Sequence, residues 1–130
     1  MIHSLHFLIY LMEHKKVLIV YNDYGISYLF KKILDKPNVT YVTANSFTEV
    51  EQILLESSFD LIITDVTIEG AFTNEYLYYL KTKLPGTSIV ILSEMNQNDI
   101  KKEVKSLGIH DFISLPTTVT DLNNKINCFF

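Results

Sequence analysis

Five short apolar runs, separated by stretches in which apolar residues recur every three or four positions, constrain this chain more than any other feature. The runs are 17–21 (VLIVY), 39–43 (VTYVT), 60–65 (DLIITD), 88–93 (SIVILS) and 111–115 (DFISL). Strict alternation of strand and helix patterns is the signature of βαβ units and a parallel sheet. The first, third and fourth runs are nearly continuous, as expected when helices cover both faces of a strand. The second run alternates and is expected at a sheet edge.

The intervening segments read as helices. Ile26, Leu29, Phe30, Ile33 and Leu34 fall at i, i+3, i+4, i+7 and i+8, one apolar stripe. The next helix opens on Ser46-x-x-Glu49, a capping box, and carries Phe47, Val50 and Leu54. Residues 74–84 place Tyr76, Leu77, Leu80 and Leu84 on one side; Tyr76, Tyr78 and Tyr79 read either as a partner-binding patch or, for two of the three, as cover for the core. The fourth helix carries Ile100, Val104 and Leu107 and stops at Gly108, and the last carries Leu122, Ile126 and Phe129. Right-handed crossovers make such a chain an α/β, doubly wound, five-stranded parallel sheet. Such folds bind ligands outside the carboxyl ends of the strands, at the switch point of strand order. The chemistry is therefore expected at Tyr21-Asn22-Asp23, Asp65, Ser93-Glu94 and Leu115-Pro116.

Composition narrows the function classes. A chain of 130 residues is one domain, and a net charge of −4 with no arginine argues against a nucleic-acid backbone as partner. The pairs Lys15-Lys16, Lys31-Lys32 and Lys101-Lys102 read as solvated faces, and His110 as an exposed turn residue. The single Cys128 excludes an internal disulfide and suits a reducing, cytoplasmic compartment. Residues 2–12 are almost all apolar, yet shorter than the ~20 residues needed to span a membrane, and they lack the flanks of a secretory signal. No membrane partner is expected. His3, His6 and His14 have no carboxylate or cysteine to complete a metal site.

Asp65 follows Leu61-Ile62-Ile63-Thr64, which presents a carboxylate at the tip of a buried strand. A carboxylate so placed can act as nucleophile toward a phosphoryl group, giving an aspartyl phosphate. The same position also suits an ordinary turn or helix cap. Tyr21 reads as a packing residue with its hydroxyl in water, or else as a plug for a pocket at the strand ends.

Taken together, V-L-I-V-x-x-D, F-D-L-I-I-T-D, I-V-I-L-S and L-G-x-x-D-F-I-x-x-P, in this order, resemble the receiver domain of bacterial two-component response regulators. The resemblance covers residues 15–130, leaving 1–14 as an N-terminal extension. It implies the flavodoxin-like receiver fold with strand order 2-1-3-4-5. It further implies that Asp65 is the phosphoacceptor, Ser93 the switch hydroxyl, Phe112 the switch aromatic, and Pro116 a proline preceded by a cis peptide. Asn22, Asp23, Asp65 and the Thr67 backbone carbonyl occupy the positions that hold Mg2+. The implied partners are a histidine kinase or another signalling protein, with a homodimer or output face on the fourth helix, last strand and fifth helix.

The departures from the family pattern bear on its chemistry. Tyr21 and Asn22 stand where the family carries two adjacent acids, and Leu115 stands where it carries a lysine. Glu94 replaces the small residue after the switch hydroxyl, and Glu69 a proline. An incoming phosphoryl group brings about two negative charges, which metal and fixed cations must neutralise. Fewer carboxylate ligands weaken Mg2+, loss of the lysine removes the fixed cation, and Glu94 adds a like charge. The expectation is a protein–protein signalling module with a degenerate acidic pocket, not an enzyme beyond any self-phosphorylation. The alternative is a working phosphoacceptor charged on Asp65 with Mg2+. A flavodoxin-like small-molecule binder is disfavoured because the turns hold no glycine-rich loop. No DNA-binding segment follows the last helix, so the expectation is either a stand-alone module or an output domain on another chain.

Overall fold

The structure, a computed structural model, describes residues 14–94 and 98–130. The strands are β1 (Lys15–Val20), β2 (Val39–Ala44), β3 (Leu61–Thr64), β4 (Ser88–Ser93) and β5 (Asp111–Ser114). The helices that alternate with them are α1 (Tyr24–Ile33), α2 (Phe47–Glu56), α3 (Thr73–Lys83), α4 (Asn98–Ser106) and α5 (Val119–Asn127). All strand pairs are parallel, in the order β2-β1-β3-β4-β5. The expected extension, apart from His14, lies outside the described residues.

Sequence pattern explains this order. Every residue of β3 is buried, and β4 is buried from Ile89 onward, so both need helices above and below. β2, with its broken pattern of burial, lies at one edge as its alternation requires, and β5 lies at the other. One face of the sheet packs Leu18, Ile62 and Ile91 against α2, α3 and α4. The opposite face packs Ile19, Ile63 and Leu92 against α1 and α5. Each such side chain taken out of water contributes about 1.5–3 kcal/mol.

Local signals fix where the helices start and stop. Ser46 Oγ accepts from the Glu49 N–H at 3.2 Å, and the Glu49 carboxylate accepts from the Asn45 N–H at 2.7 Å. The capping box thus closes one residue further back than the sequence motif implies. At the end of α4, Gly108 adopts φ +86, its N–H donates to Lys105 O, and the Ile109 N–H donates to Val104 O. This pair of bonds satisfies carbonyls left open at the helix end, and only glycine enters that left-handed turn without a Cβ penalty.

The α1 stripe is not uniformly internal: Phe30 and Leu34 are buried, but Ile26 is 41% and Leu29 55% exposed. A stripe spanning five positions is wider than the sheet contact of a ten-residue helix. Ile26 and Leu29, in the N-terminal half of the helix, line the cleft described below.

Candidate functional site

The sheet ends its central strands together, and the polar residues that follow them meet at the switch point between β1 and β3. The Asp65 N–H donates to Val20 O at 3.3 Å, which ties the first residue past β3 to the end of β1. The Asp65 side chain is half-buried, and its Oδ1 accepts from the Val66 N–H at 2.6 Å and from Ser93 Oγ at 2.9 Å. Ser93 closes β4 and is buried, so the neighbouring strand presents a hydroxyl directly to the carboxylate. Asp65 is thus both a turn cap and a carboxylate at the site.

Beneath it runs a buried hydroxyl chain that sequence reasoning missed. Thr64 Oγ1 donates to Asp65 O at 2.9 Å and lies 2.7 Å from the Tyr76 hydroxyl. Tyr76 is fully buried on α3, and burial raises its ionisation well above the tyrosine range, with the Thr64 bond pulling partly back. Tyr79 is half-buried and Tyr78 exposed, so two of the three tyrosines cover the core as expected.

The β1 end is built differently. The Tyr21 N–H continues the β1–β2 pairing by donating to Ala44 O at 3.1 Å, while its side chain turns into the protein. The ring is 5% exposed, lies 5.2 Å from Phe30, and its hydroxyl donates to the Leu92 carbonyl. The hydroxyl is therefore not in water, contrary to the packing expectation. Because β3 separates β1 from β4, this bond makes Tyr21 a strut across the end of β3. Burial above all, then the charges of Asp65 and Glu94, push its ionisation far above the usual range, so it stays a neutral donor.

Asn22 and Asp23 are both engaged by backbone. Asn22 Oδ1 accepts from the Glu69 N–H at 2.8 Å, and Asp23 Oδ1 accepts from the Ile26 N–H at 3.0 Å as the N-cap of α1. A Cβ on Gly25 would stand 3.0 Å from Asp23 Oδ1, so the absence of a side chain there leaves the cap its room. Neither residue lines the cleft above Asp65. That cleft, of about 400 Å³, is walled by Ile26, Leu29, Phe30 and Leu115, with Asp65, Ser93 and Glu94 as its polar groups. Tyr21 and Thr67 complete the lining, Thr67 being exposed on the loop after β3. Leu115 donates its N–H to Ser93 O at 2.9 Å and precedes Pro116 through a cis peptide, as the resemblance implies. Phe112 lies outside the cleft on β5, half-buried, with Lys101 Nζ 5.0 Å from its ring centroid. Structure thus joins Asp65, Ser93 and Thr67 and separates Asn22, Asp23 and Phe112 from them.

A five-stranded doubly wound sheet, with an aspartate past its central strand and a hydroxyl on the next, defines an α/β domain whose candidate site lies at the switch point. The sequence profile of the response regulator receiver domain matches residues 17–127, and the chain belongs to that family. It is a receiver domain of two-component signal transduction. It is 25% identical over 116 residues to sporulation initiation phosphotransferase F of Bacillus subtilis, covering 88% of this chain and 93% of that protein. Against the response regulator protein PilR of Pseudomonas aeruginosa the identity is 22% over 115 residues, covering 88% of this chain but only 26% of PilR. Among solved structures, the chemotaxis response regulator CheY4 of Vibrio cholerae superposes with a TM-score of 0.78 at 21% identity. That match covers 90% of this chain and 99% of CheY4. No helix among the described residues is long and apolar enough to cross a membrane.

Proposed function

We propose that this receiver domain transmits its signal by protein–protein contact, without an ordinary Mg2+-dependent phosphorylation cycle at Asp65. The observation that carries the reading is the state of the β1 end. Of Tyr21, Asn22 and Asp23, only Asp23 is a carboxylate, and its Oδ1 caps α1. Mg2+ demands a near-octahedral set of oxygens with carboxylates among them. Here Asp65 and the Thr67 carbonyl would be joined by a neutral Asn22 amide already accepting from Glu69, and this donor set does not fit. Among the described residues, no three or more His, Cys, Asp or Glu side chains converge as metal ligands. Leu115 brings an apolar wall and Glu94 a negative charge to the path of an incoming phosphoryl group. Both oppose transfer, which depends on neutralising charge as it develops.

Asp65, Ser93 and Phe112 would then act by shape, with Phe112 on the α4–β5–α5 face that would engage partners. Those partners are a histidine kinase, another signalling protein or a second copy, in the cytoplasm. The second reading, a phosphoacceptor charged on Asp65 with Mg2+, is favoured by one contact, the Ser93 hydroxyl held 2.9 Å from Asp65 Oδ1. Acetyl phosphate with Mg2+, read by intact mass beside a receiver known to label, separates the two. No mass gain is expected here. One added phosphoryl group in the parent and none in Asp65→Asn would establish the second reading.

A further inference from the structure

The cleft above Asp65 combines features that neither a metal ion nor an anion uses. Its polar groups include two carboxylates, Asp65 and Glu94, and among the described residues its lining contains no lysine or histidine. Both carboxylates line the one cleft, Asp65 half-buried and Glu94 exposed. The two bonds to the Asp65 side chain both fall on Oδ1, which leaves the lone pairs of Oδ2 for a further donor. An anion is repelled from such a place. A bare divalent ion gains nothing from walls of Ile26, Leu29 and Leu115, since it binds through oxygen.

A cation on an aliphatic stem uses both features. Lysine and arginine lay their methylenes along apolar surface and carry the charge to a polar end. Ile26 and Leu29, at 41% and 55% exposed, offer that surface at the mouth. The same helix exposes Tyr24 (70%) and Tyr28 (62%), an apolar area on α1 beyond the cleft itself. Protein interfaces are enriched in tyrosine and arginine, and buried charge pairs there set partner choice.

We propose that the cleft receives a lysine or arginine side chain from a partner protein, its charge between Asp65 and Glu94 and its stem along Ile26, Leu29 and Leu115. The partner's remaining contact falls on Tyr24 and Tyr28 of α1. This deepens the proposed function, on which it rests, by naming the chemistry of the contact that replaces phosphorylation.

Amide NMR titration of the full chain with n-butylammonium, the lysine side chain in isolation, is the test, with n-butanol as its neutral twin. Saturable shifts are expected at Asp65, Val66, Ser93, Glu94 and Leu115 with n-butylammonium. Glu94→Gln should weaken that binding roughly five-fold, as for a partly exposed ion pair. Leu115→Lys, which supplies a cation within the chain, should abolish it. Equal shifts from n-butanol, or affinity unchanged in Glu94→Gln, would overturn the proposal. The second arm uses an amphipathic helical peptide with one lysine among leucines and its norleucine twin. The lysine peptide should bind more tightly than n-butylammonium and also shift Tyr24 and Tyr28. Affinity no better than n-butylammonium would mean a small-cation site and would equally end the proposal. Acetyl phosphate labelling on the same sample keeps the two readings apart. Labelled Asp65 defeats the proposed function, whereas unlabelled protein that ignores n-butylammonium defeats only the docking.

Discussion

The ends of β1 and β3 are neighbours in the sheet, yet they present their polar atoms in opposite ways. Past β3, Asp65 keeps a carboxylate at the cleft, held in place by the Val66 N–H and the Ser93 hydroxyl. Past β1, Tyr21 is buried as a strut to Leu92, Asn22 serves the Glu69 N–H, and Asp23 caps α1. The difference teaches that a polar residue at a strand end is available for chemistry only after nearby backbone donors and acceptors are satisfied. A buried carbonyl or a helix N-terminus left without a partner costs ~1–3 kcal/mol, enough to claim the side chain first. The β1 end thus supports the fold, and the β3 end faces the cleft.

The largest effect that tests this contrast is on packing. Tyr21→Ala removes the ring between Phe30 and β4 and should cost about 3–5 kcal/mol of stability, read as a lower urea midpoint. A change below about 1 kcal/mol would show that Tyr21 is not a support.

The next effect is a pH dependence. The folded state holds the Tyr21 proton well above the ordinary tyrosine value near 10. Its folded pKa exceeds its unfolded one, so the stability it contributes is complete below pH ~10 and is lost as pH rises further. Tyr76 is raised in the same sense, and burial pushes Tyr41 up to about 12, helped by Asp35, so several protons leave together on unfolding. Tyr21→Phe should therefore flatten the decline above pH 10 by about 1.4 kcal/mol per pH unit. Urea unfolding between pH ~9 and ~11.5 measures the slope, and an unchanged slope would mean that the hydroxyl is already ionisable in the folded protein.

The smallest effect concerns the cap. Asp23→Ala should lower stability by about 1 kcal/mol through loss of the α1 N-cap, read again by urea midpoint. No loss would free Asp23 from its structural duty and return it to the list of ligands for a cation.

Much of the fold was legible along the chain. Alternating strand and helix patterns gave the doubly wound sheet, the broken pattern of 39–43 put β2 at an edge, and Gly108 marked the end of α4. These features depend on residues close in sequence, because periodicity, caps and turns are local. The candidate site was legible only as a set of strand-end residues. Ile26 and Leu29 read only as part of one apolar stripe, because a helical period reports a shared face without saying what lies opposite it. Tyr76 read as core cover or part of a patch, and its hydroxyl chain to Thr64 and Asp65 joins residues on different elements.

By itself, then, the sequence determined the layered architecture, the strand ends at which chemistry would sit and the residue types gathered there. Only the tertiary structure decided which of those residues remain available. Tyr21 meets Leu92 across 71 positions of chain, Asn22 meets Glu69 across 47, and Ser93 meets Asp65 across 28. Such pairings follow from the order of strands in the sheet, since parallel crossovers bring distant strand ends side by side and the competition for buried hydrogen bonds is resolved there.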